Sequence, residues 1–137
     1  MNYIDAADAP ELRDGSIKLH GLEGFAGMRK AGQLAARCLD MIAPMVKPGV
    51  TTAEIDKAAM EFILDHGGIP ACLGYRGYQH TVCTSINHVV CHGIPNDKPL
   101  KGGDIVNVDV TAIVDGWHGD TSPVSYTHLT LPTIYSV

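Results

Sequence analysis

A two-residue turn signal, Asp115-Gly116, separates two segments in which apolar and polar residues alternate. Both central residues of a type I′ turn need a positive φ, so this pair predicts a tight β-hairpin. A two-residue loop sets Val114 opposite Trp117, and the same register places Thr111 opposite Asp120. An apolar stripe of period two follows the first strand and comprises Val106, Val108, Val110, Ala112 and Val114. This alternation predicts a strand with one buried face.

Two carboxylates share the other face of the predicted hairpin. The register sets Asp109 opposite Ser122, so Asp109 and Asp120 become diagonal neighbours with Cα atoms roughly 7–8 Å apart. Adjacent carboxylates repel unless a shared proton or a cation lies between them. A pair of divalent cations about 3.5–4 Å apart is one such arrangement in hydrolases. Spacing alone leaves open a third interpretation, in which both side chains simply point into water.

Composition limits the class of protein. The 137 residues are 45% apolar and 18% charged, which is typical of one globular domain. The net charge of −5 and the lack of a basic stripe argue against nucleic acid as a direct partner. The acidic N-terminus contains no apolar run, so we expect neither a signal peptide nor a membrane span. The four cysteines form no Cys-x-x-Cys pair, and reduced thiols in the cytoplasm are the expected state.

The first half of the chain predicts two helices after a loose leader over residues 1–21. Apolar residues at helical spacing begin the first helix, namely Phe25, Met28, Ala31, Ala35, Cys38, Ile42 and Met45. Pro44 should end it near Ala43. Thr51-Thr52-Ala53-Glu54 is a capping box that starts a second helix. Gly67-Gly68 should end that helix, because glycine accepts the left-handed conformation after a helix terminus.

The second half predicts antiparallel strands. Thr81–Ile86 reads as a strand, Asn87-His88 as a tight turn, and Val89–Ile94 as the returning strand. This hairpin would set His92 opposite Cys83. Two helices followed by an antiparallel meander place the chain in the α+β class.

Several segments, in order along residues 23–122, together resemble type I methionine aminopeptidases. The segments are Met28–Gly32, Val46–Thr52, Ala71–Tyr75, Val82–Asn87, Val89–Pro95, Gly103–Asp109 and His118–Ser122. The string Cys-His-Gly-Ile-Pro followed by Asn-x-Asp-Val is more specific than any single motif. The resemblance implies half of a pita-bread fold, the creatinase/aminopeptidase fold, over residues 22–122. It also implies hydrolytic removal of the N-terminal methionine from nascent polypeptides in the cytoplasm.

The resemblance further implies a role for individual residues. Asp109 and Asp120 match two ligands of a pair of divalent metal ions, for which cobalt, manganese, iron and zinc are candidates. His92 matches a catalytic histidine that also contacts substrate. The pocket for the methionine side chain is matched by Cys72, Tyr75, Tyr78 and Cys83. The ribosome is a candidate partner, and no membrane is implied.

Each of these residues also has a plain structural interpretation. His92 could be a buried strand histidine, and Cys72 and Cys83 could be small core residues. Tyr75 and Tyr78 could be ordinary half-buried aromatic residues. His118 shares the face of the two aspartates and could orient a carboxylate or simply be exposed.

The end of the chain departs from the family pattern. Residues 123–137 contain no Asp, Glu, Lys or Arg, which predicts a non-family tail that is unstructured or spurious. The family's remaining histidine and two glutamates are not matched, so three of five expected metal ligands are lacking and we expect poor activity. Two rival hypotheses remain, a non-catalytic relative that binds peptides or ribosomes and a proline-directed peptidase of the same fold.

Overall fold

The computed structural model describes residues 17–127 and, before them, strand β1 (Tyr3–Asp5). Strand β1 pairs in parallel with β2 (Ile17–Leu19). Two short parts of the predicted loose leader over residues 1–21 are therefore extended and supply hydrogen-bond partners to each other. The intervening residues 6–16 lie outside the described part of the chain.

Helix α1 (Leu22–Ile42) ends where the sequence predicts. A single 3₁₀ turn, Ala43–Met45, follows it and contains Pro44, which cannot donate a helical hydrogen bond. Within residues 17–127 no helix is both long and apolar enough to cross a membrane.

Helix α2 (Thr52–Asp65) has the predicted termini. The backbone N–H of Thr51 donates to the Glu54 carboxylate (2.7 Å), and the N–H of Glu54 donates to the Thr51 hydroxyl (3.2 Å). At the other end Gly67 has a φ of 74°, and the N–H of Gly68 donates to the carbonyl of Ile63 (2.9 Å). Both observations confirm the capping box and the glycine stop.

The sheet is built around one long central strand. Its members are β3 (Ile69–Pro70), β4 (Val82–Ile86), β5 (Ile105–Val114), β6 (Trp117–Thr121) and β7 (Val124–Tyr126). Strands β3 and β4 pair with one edge of β5, and β6 and β7 pair with its other edge, all antiparallel. The predicted α+β class is confirmed.

The hairpin has the predicted turn and register. Asp115 and Gly116 have φ values of 50° and 83°, and Thr111 lies opposite Asp120. The same register resumes in β7 after Pro123, which has no N–H to give to the ladder. The tail predicted from residue 123 thus begins with a short strand, Val124–Tyr126. Residues 128–137 lie outside the described part.

The predicted hairpin partner of β4 is wrong. Residues 89–94 form no strand, and His92 has a φ of 55° that breaks an extended course. Gly93 ties this segment to β4, because its carbonyl accepts from the Thr84 N–H (2.7 Å) and its N–H donates to the Ser85 hydroxyl (3.1 Å). Cys83 lies opposite Asp109 on β5 instead of opposite His92.

Helix α1 packs against the valine face of β5, and α2 packs against α1, β3 and β4. The core comprises Ala31, Leu34, Ala35, Cys38, Ile42, Ile55, Ala59 and Ile63 from the helices, with Val106, Val108, Val110, Ala112 and Val114 from β5. Phe25 and Met28 were predicted to join this face, but they are 58% and 50% exposed. Gly24 and Gly27 instead face the sheet at this end of α1, because the Trp117 ring lies directly against them.

Close approach of α1 to β6 yields a stability prediction. A Cβ on Gly119 would overlap the backbone of Ala31 and Gly32, so Gly119→Ala should push the helix away. We expect a loss of about 1–3 kcal/mol in the free energy of unfolding, measured by urea denaturation.

The matched control is Gly32→Ala, where an added Cβ meets nothing within 4 Å. This helix-interior change should stabilise the protein by about 0.5–1 kcal/mol. An unchanged urea midpoint for Gly119→Ala would contradict the packing described.

Candidate functional site

The face of the sheet that points away from the helices carries the two carboxylates, Asp109 on β5 and Asp120 on β6. Asp109 is half-buried and lies opposite Cys83 of β4, whereas Asp120 is exposed and lies opposite Thr111. The Thr111 hydroxyl donates a hydrogen bond to the Asp120 carboxylate (3.1 Å). The two aspartates are thus diagonal neighbours on one surface of the sheet, in the register that the sequence predicts.

Electrostatics at this pair favour an added positive charge. Burial raises the pKa of Asp109 above its ordinary value, and the charge and hydrogen bonding of Asp120 raise it further. The charge of His92 acts in the opposite direction on the same pKa. Among the ion pairs of residues 17–127, none involves either aspartate. A shared proton or a bound cation would relieve the repulsion.

His92 lies beside this pair on the irregular segment after β4. It is exposed, so the interpretation as a buried strand histidine is wrong. Its positive φ is uncommon for a residue with a side chain and is most frequent at turns and functional sites. An exposed imidazole near Asp109 is able to exchange protons with a bound molecule.

A group of two thiols and a phenol borders the carboxylates on the other side. Burial raises the pKa of the half-buried Cys72 thiol, with further increases from Cys83, Asp109 and Asp120. Burial also raises the pKa of Tyr78, and the neighbouring Cys83, Asp56 and Cys72 side chains raise it further. The Cys72 thiol and the Tyr78 hydroxyl therefore keep their protons near pH 7. We call Cys72, Tyr78 and Cys83 the thiol–tyrosine pocket.

Tyr75 lies outside this pocket. It lies on the 3₁₀ turn Tyr75–Gly77 and is 64% exposed, and the Arg76 guanidinium carbon is 5.4 Å from the centroid of its ring. His118 is also exposed, on the same face as Asp120.

Two features near the site were missed by sequence reasoning. A groove of about 350 Å³ opens beside Asp109, with Asn107 and Ser85 on its polar side and Val90 among its apolar residues. Its walls come from segments far apart in sequence, so no local pattern indicates it. The second feature is His80, which is half-buried with its Nδ1 atom 3.2 Å from the Asp56 carboxylate.

Comparison with known proteins places the chain in a family. The model of metallopeptidase family M24 matches residues 26–126. The chain belongs to this family. The predicted resemblance and the predicted half of a pita-bread fold are both confirmed.

Individual members of the family are similar over most of the chain. Methionine aminopeptidase of Rickettsia prowazekii is 59% identical over 111 residues, which cover 81% of this chain and 43% of the relative. That of Escherichia coli K12 is 56% identical over 109 residues, or 78% and 41%. The crystal structure of the Rickettsia prowazekii enzyme superimposes with a TM-score of 0.79, covering 80% and 44% of the two chains. The chain thus spans about two-fifths of the length of these relatives.

The part of this M24 chain that the structure describes contains no group of three or more His, Cys, Asp or Glu side chains placed to hold a metal ion. Two carboxylates by themselves would bind a hard cation only weakly, because dedicated sites for such cations use more oxygen or nitrogen ligands.

Repulsion between the aspartates gives a pH-dependent prediction. The raised pKa of Asp109 means that folding favours the protonated form of this carboxyl group. Its favourable contribution to the free energy of unfolding is therefore present at low pH and is lost as the pH rises through the pKa of the folded state. Replacing the exposed partner, Asp120→Asn, should lower the pKa of Asp109. We expect a gain of roughly 0.5–1 kcal/mol in the free energy of unfolding at pH 7 in EDTA, and none at pH 3.

Thermal unfolding at both pH values and a carboxyl-carbon NMR titration of Asp109 measure these quantities. Asn keeps an oxygen that can accept from the Thr111 hydroxyl, so the change isolates the charge. Equal effects of the substitution at pH 3 and pH 7 would show that charge repulsion is not the cause.

Proposed function

We propose that this chain provides part of the active site of a methionine aminopeptidase. In this proposal the site binds the N-terminal methionine of a nascent polypeptide and removes it by hydrolysis with the help of divalent metal ions. The observation that carries the proposal is the Asp109–Asp120 pair beside the thiol–tyrosine pocket, in a chain 56–59% identical to enzymes of that name. Cytoplasmic location and contact with the ribosome remain predictions of the same hypothesis.

Asp109 and Asp120 are the residues that would hold the metal ions. Their hard oxygen ligands suit manganese, iron, cobalt or zinc, and their mutual repulsion makes the pair receptive to a cation. Bound divalent ions supply Lewis acidity, which activates a water and polarises a carbonyl group at neutral pH. Two ions are proposed because the resemblance to type I methionine aminopeptidases implies a metal pair.

The thiol–tyrosine pocket would receive the methionine side chain. Burial raises the pKa of Cys72 and of Tyr78, so both groups stay neutral near pH 7, and a thioether that displaces water from them does not desolvate a charge. Sulfur–aromatic contacts add a modest preference for methionine over other apolar side chains. We propose that Tyr75 contacts the substrate at the outer rim of the pocket. Its ring is exposed, and Tyr75 begins the turn that Tyr78 follows.

His92 would act on the scissile peptide as a catalytic residue. Its imidazole is exposed beside Asp109, so it can donate a hydrogen bond to the carbonyl oxygen as negative charge develops there. Alternatively it can pass a proton to the leaving amide nitrogen. Both roles require only that one ring nitrogen carries a proton.

Metal binding by the aspartate pair is directly testable. We expect Mn²⁺ to broaden the NMR signals of residues flanking Asp109 and Asp120 selectively, with weak affinity because the described ligand set is partial. Asp109→Asn should weaken this binding at least tenfold. Asp97→Asn, in an exposed loop, is the matched control and should leave it unchanged. Equal weakening by both substitutions would mean that Mn²⁺ binds by general surface charge.

Turnover is the second test. With Co²⁺ or Mn²⁺ present, we expect release of methionine from Met-Ala-Ser at a rate at least tenfold below that of the Escherichia coli enzyme, and a further loss of about 100-fold or more in His92→Ala. Turnover within tenfold of the Escherichia coli enzyme would contradict the partial ligand set. Faster cleavage of Ala-Pro than Met-Ala peptides would favour a proline-directed peptidase. Peptide binding without metal, unchanged by Asp109→Asn, would favour a non-catalytic relative.

A further inference from the structure

One carboxylate of helix α2 is joined to the segment that leads into the thiol–tyrosine pocket. The Asp56 side chain is only 16% exposed, and its Oδ1 atom accepts hydrogen bonds from the backbone N–H groups of Thr81 (2.7 Å) and Val82 (2.9 Å). Its Oδ2 atom lies 3.2 Å from the His80 Nδ1 atom. Three consecutive residues at the start of β4 are therefore held by one side chain from another element.

The same segment carries two members of the pocket. The His80 ring packs edge-on against the Tyr78 ring, with centroids 5.7 Å apart. The Tyr78 hydroxyl donates to the carbonyl of Val82 (2.9 Å), which closes the short loop between them. Cys83 directly follows Val82 in β4. Movement of residues 80–82 would consequently displace both Tyr78 and Cys83.

We propose that Asp56 is a positioning residue that sets the shape of the pocket through the His80–Val82 segment and the Tyr78 ring. The inference deepens the proposed function, because it relies on that function for the statement that the pocket receives methionine. Asp56 touches no group proposed to react, so its influence passes only through the residues it holds.

The chemistry of the contacts indicates a local role. Hydrogen bonds from amides to a carboxylate are shorter and stronger than those to neutral acceptors, so Asp56 restrains the start of β4 more firmly than a ladder contact would. Removing the carboxylate leaves two amide groups without their acceptor at the margin of the sheet. The helical core around Cys38, by contrast, is apolar and fully buried. Local opening of the pocket without unfolding of the core is therefore the expected consequence.

The two regions carry their own reporters. Cys83 is 8% exposed within the pocket, and Cys38 is 0% exposed in the helical core. The test measures peptide-resolved alkylation of both thiols by iodoacetamide in the full chain, by mass spectrometry. Asp56→Ala should speed alkylation of Cys83 at least tenfold while that of Cys38 stays within twofold of the parent.

Two further variants make the test specific. Asp56→Asn keeps an oxygen for the two amides and should restore Cys83 protection to within threefold of the parent. Glu61→Gln, on an exposed position of the same helix, is the matched control and should change neither thiol. If Asp56→Ala does not fold, His80→Ala should still speed alkylation of Cys83 about threefold, whereas His80→Phe should not, because phenylalanine keeps the ring against Tyr78.

Parallel acceleration of Cys38 and Cys83 would overturn the proposal, since Asp56 would then stabilise the whole domain. Unchanged alkylation of Cys83 in Asp56→Ala would overturn it as well. The thiol measurement needs no substrate, so its failure is distinct from failure of the proposed function. The proposed function is tested separately, because saturating Met-Ala-Ser should slow alkylation of Cys72 and Cys83 in the parent. Lack of such protection would count against the proposed function and not against the role of Asp56.

Discussion

The register of the β5–β6 ribbon is the constraint on which the site depends. Successive side chains of a strand point to opposite faces, so a slip of one residue would bury Asp109 and expose Val108. The type I′ turn at Asp115-Gly116 sets this register locally, and burial of alternate valines beneath the two helices enforces it. The same hydrophobic burial that stabilises the domain therefore holds two mutually repelling carboxylates together.

Among the described residues, those other than glycine with positive φ are Arg76, Asn87, His92 and Asp115. Asp115 belongs to the turn that sets the register and Asn87 to the turn after β4, whereas Arg76 and His92 lie in the loops that carry Tyr75 and the candidate catalytic imidazole. Such conformations cost energy and persist only where surrounding contacts impose them. Asp56 restrains the segment between these two loops through hydrogen bonds to Thr81 and Val82.

Sequence reasoning succeeded where the signal is local and failed where the partner is distant. The capping box at Thr51 and the turn at Gly116 each involve residues close together in the chain, so a local sequence pattern predicts them. The strand assigned to Val89–Ile94 was wrong because the predicted pairing assumed the nearest neighbour, whereas β4 pairs with β5 across a long connection. The prediction that Met28 joins the core was wrong, because helical spacing indicates an apolar face without showing where the sheet beneath the helix ends.

By itself, the sequence determined the class of fold, the two helices, the hairpin register and the shared face of Asp109 and Asp120, because each follows from periodicity or turn chemistry. Only the tertiary structure decided that Cys72, Tyr78 and Cys83 meet beside those carboxylates, that Tyr75 is exposed and that Asp56 holds the start of β4. The physical reason is that these contacts join segments separated by loops, whose paths depend on packing and backbone hydrogen bonds that no local pattern specifies.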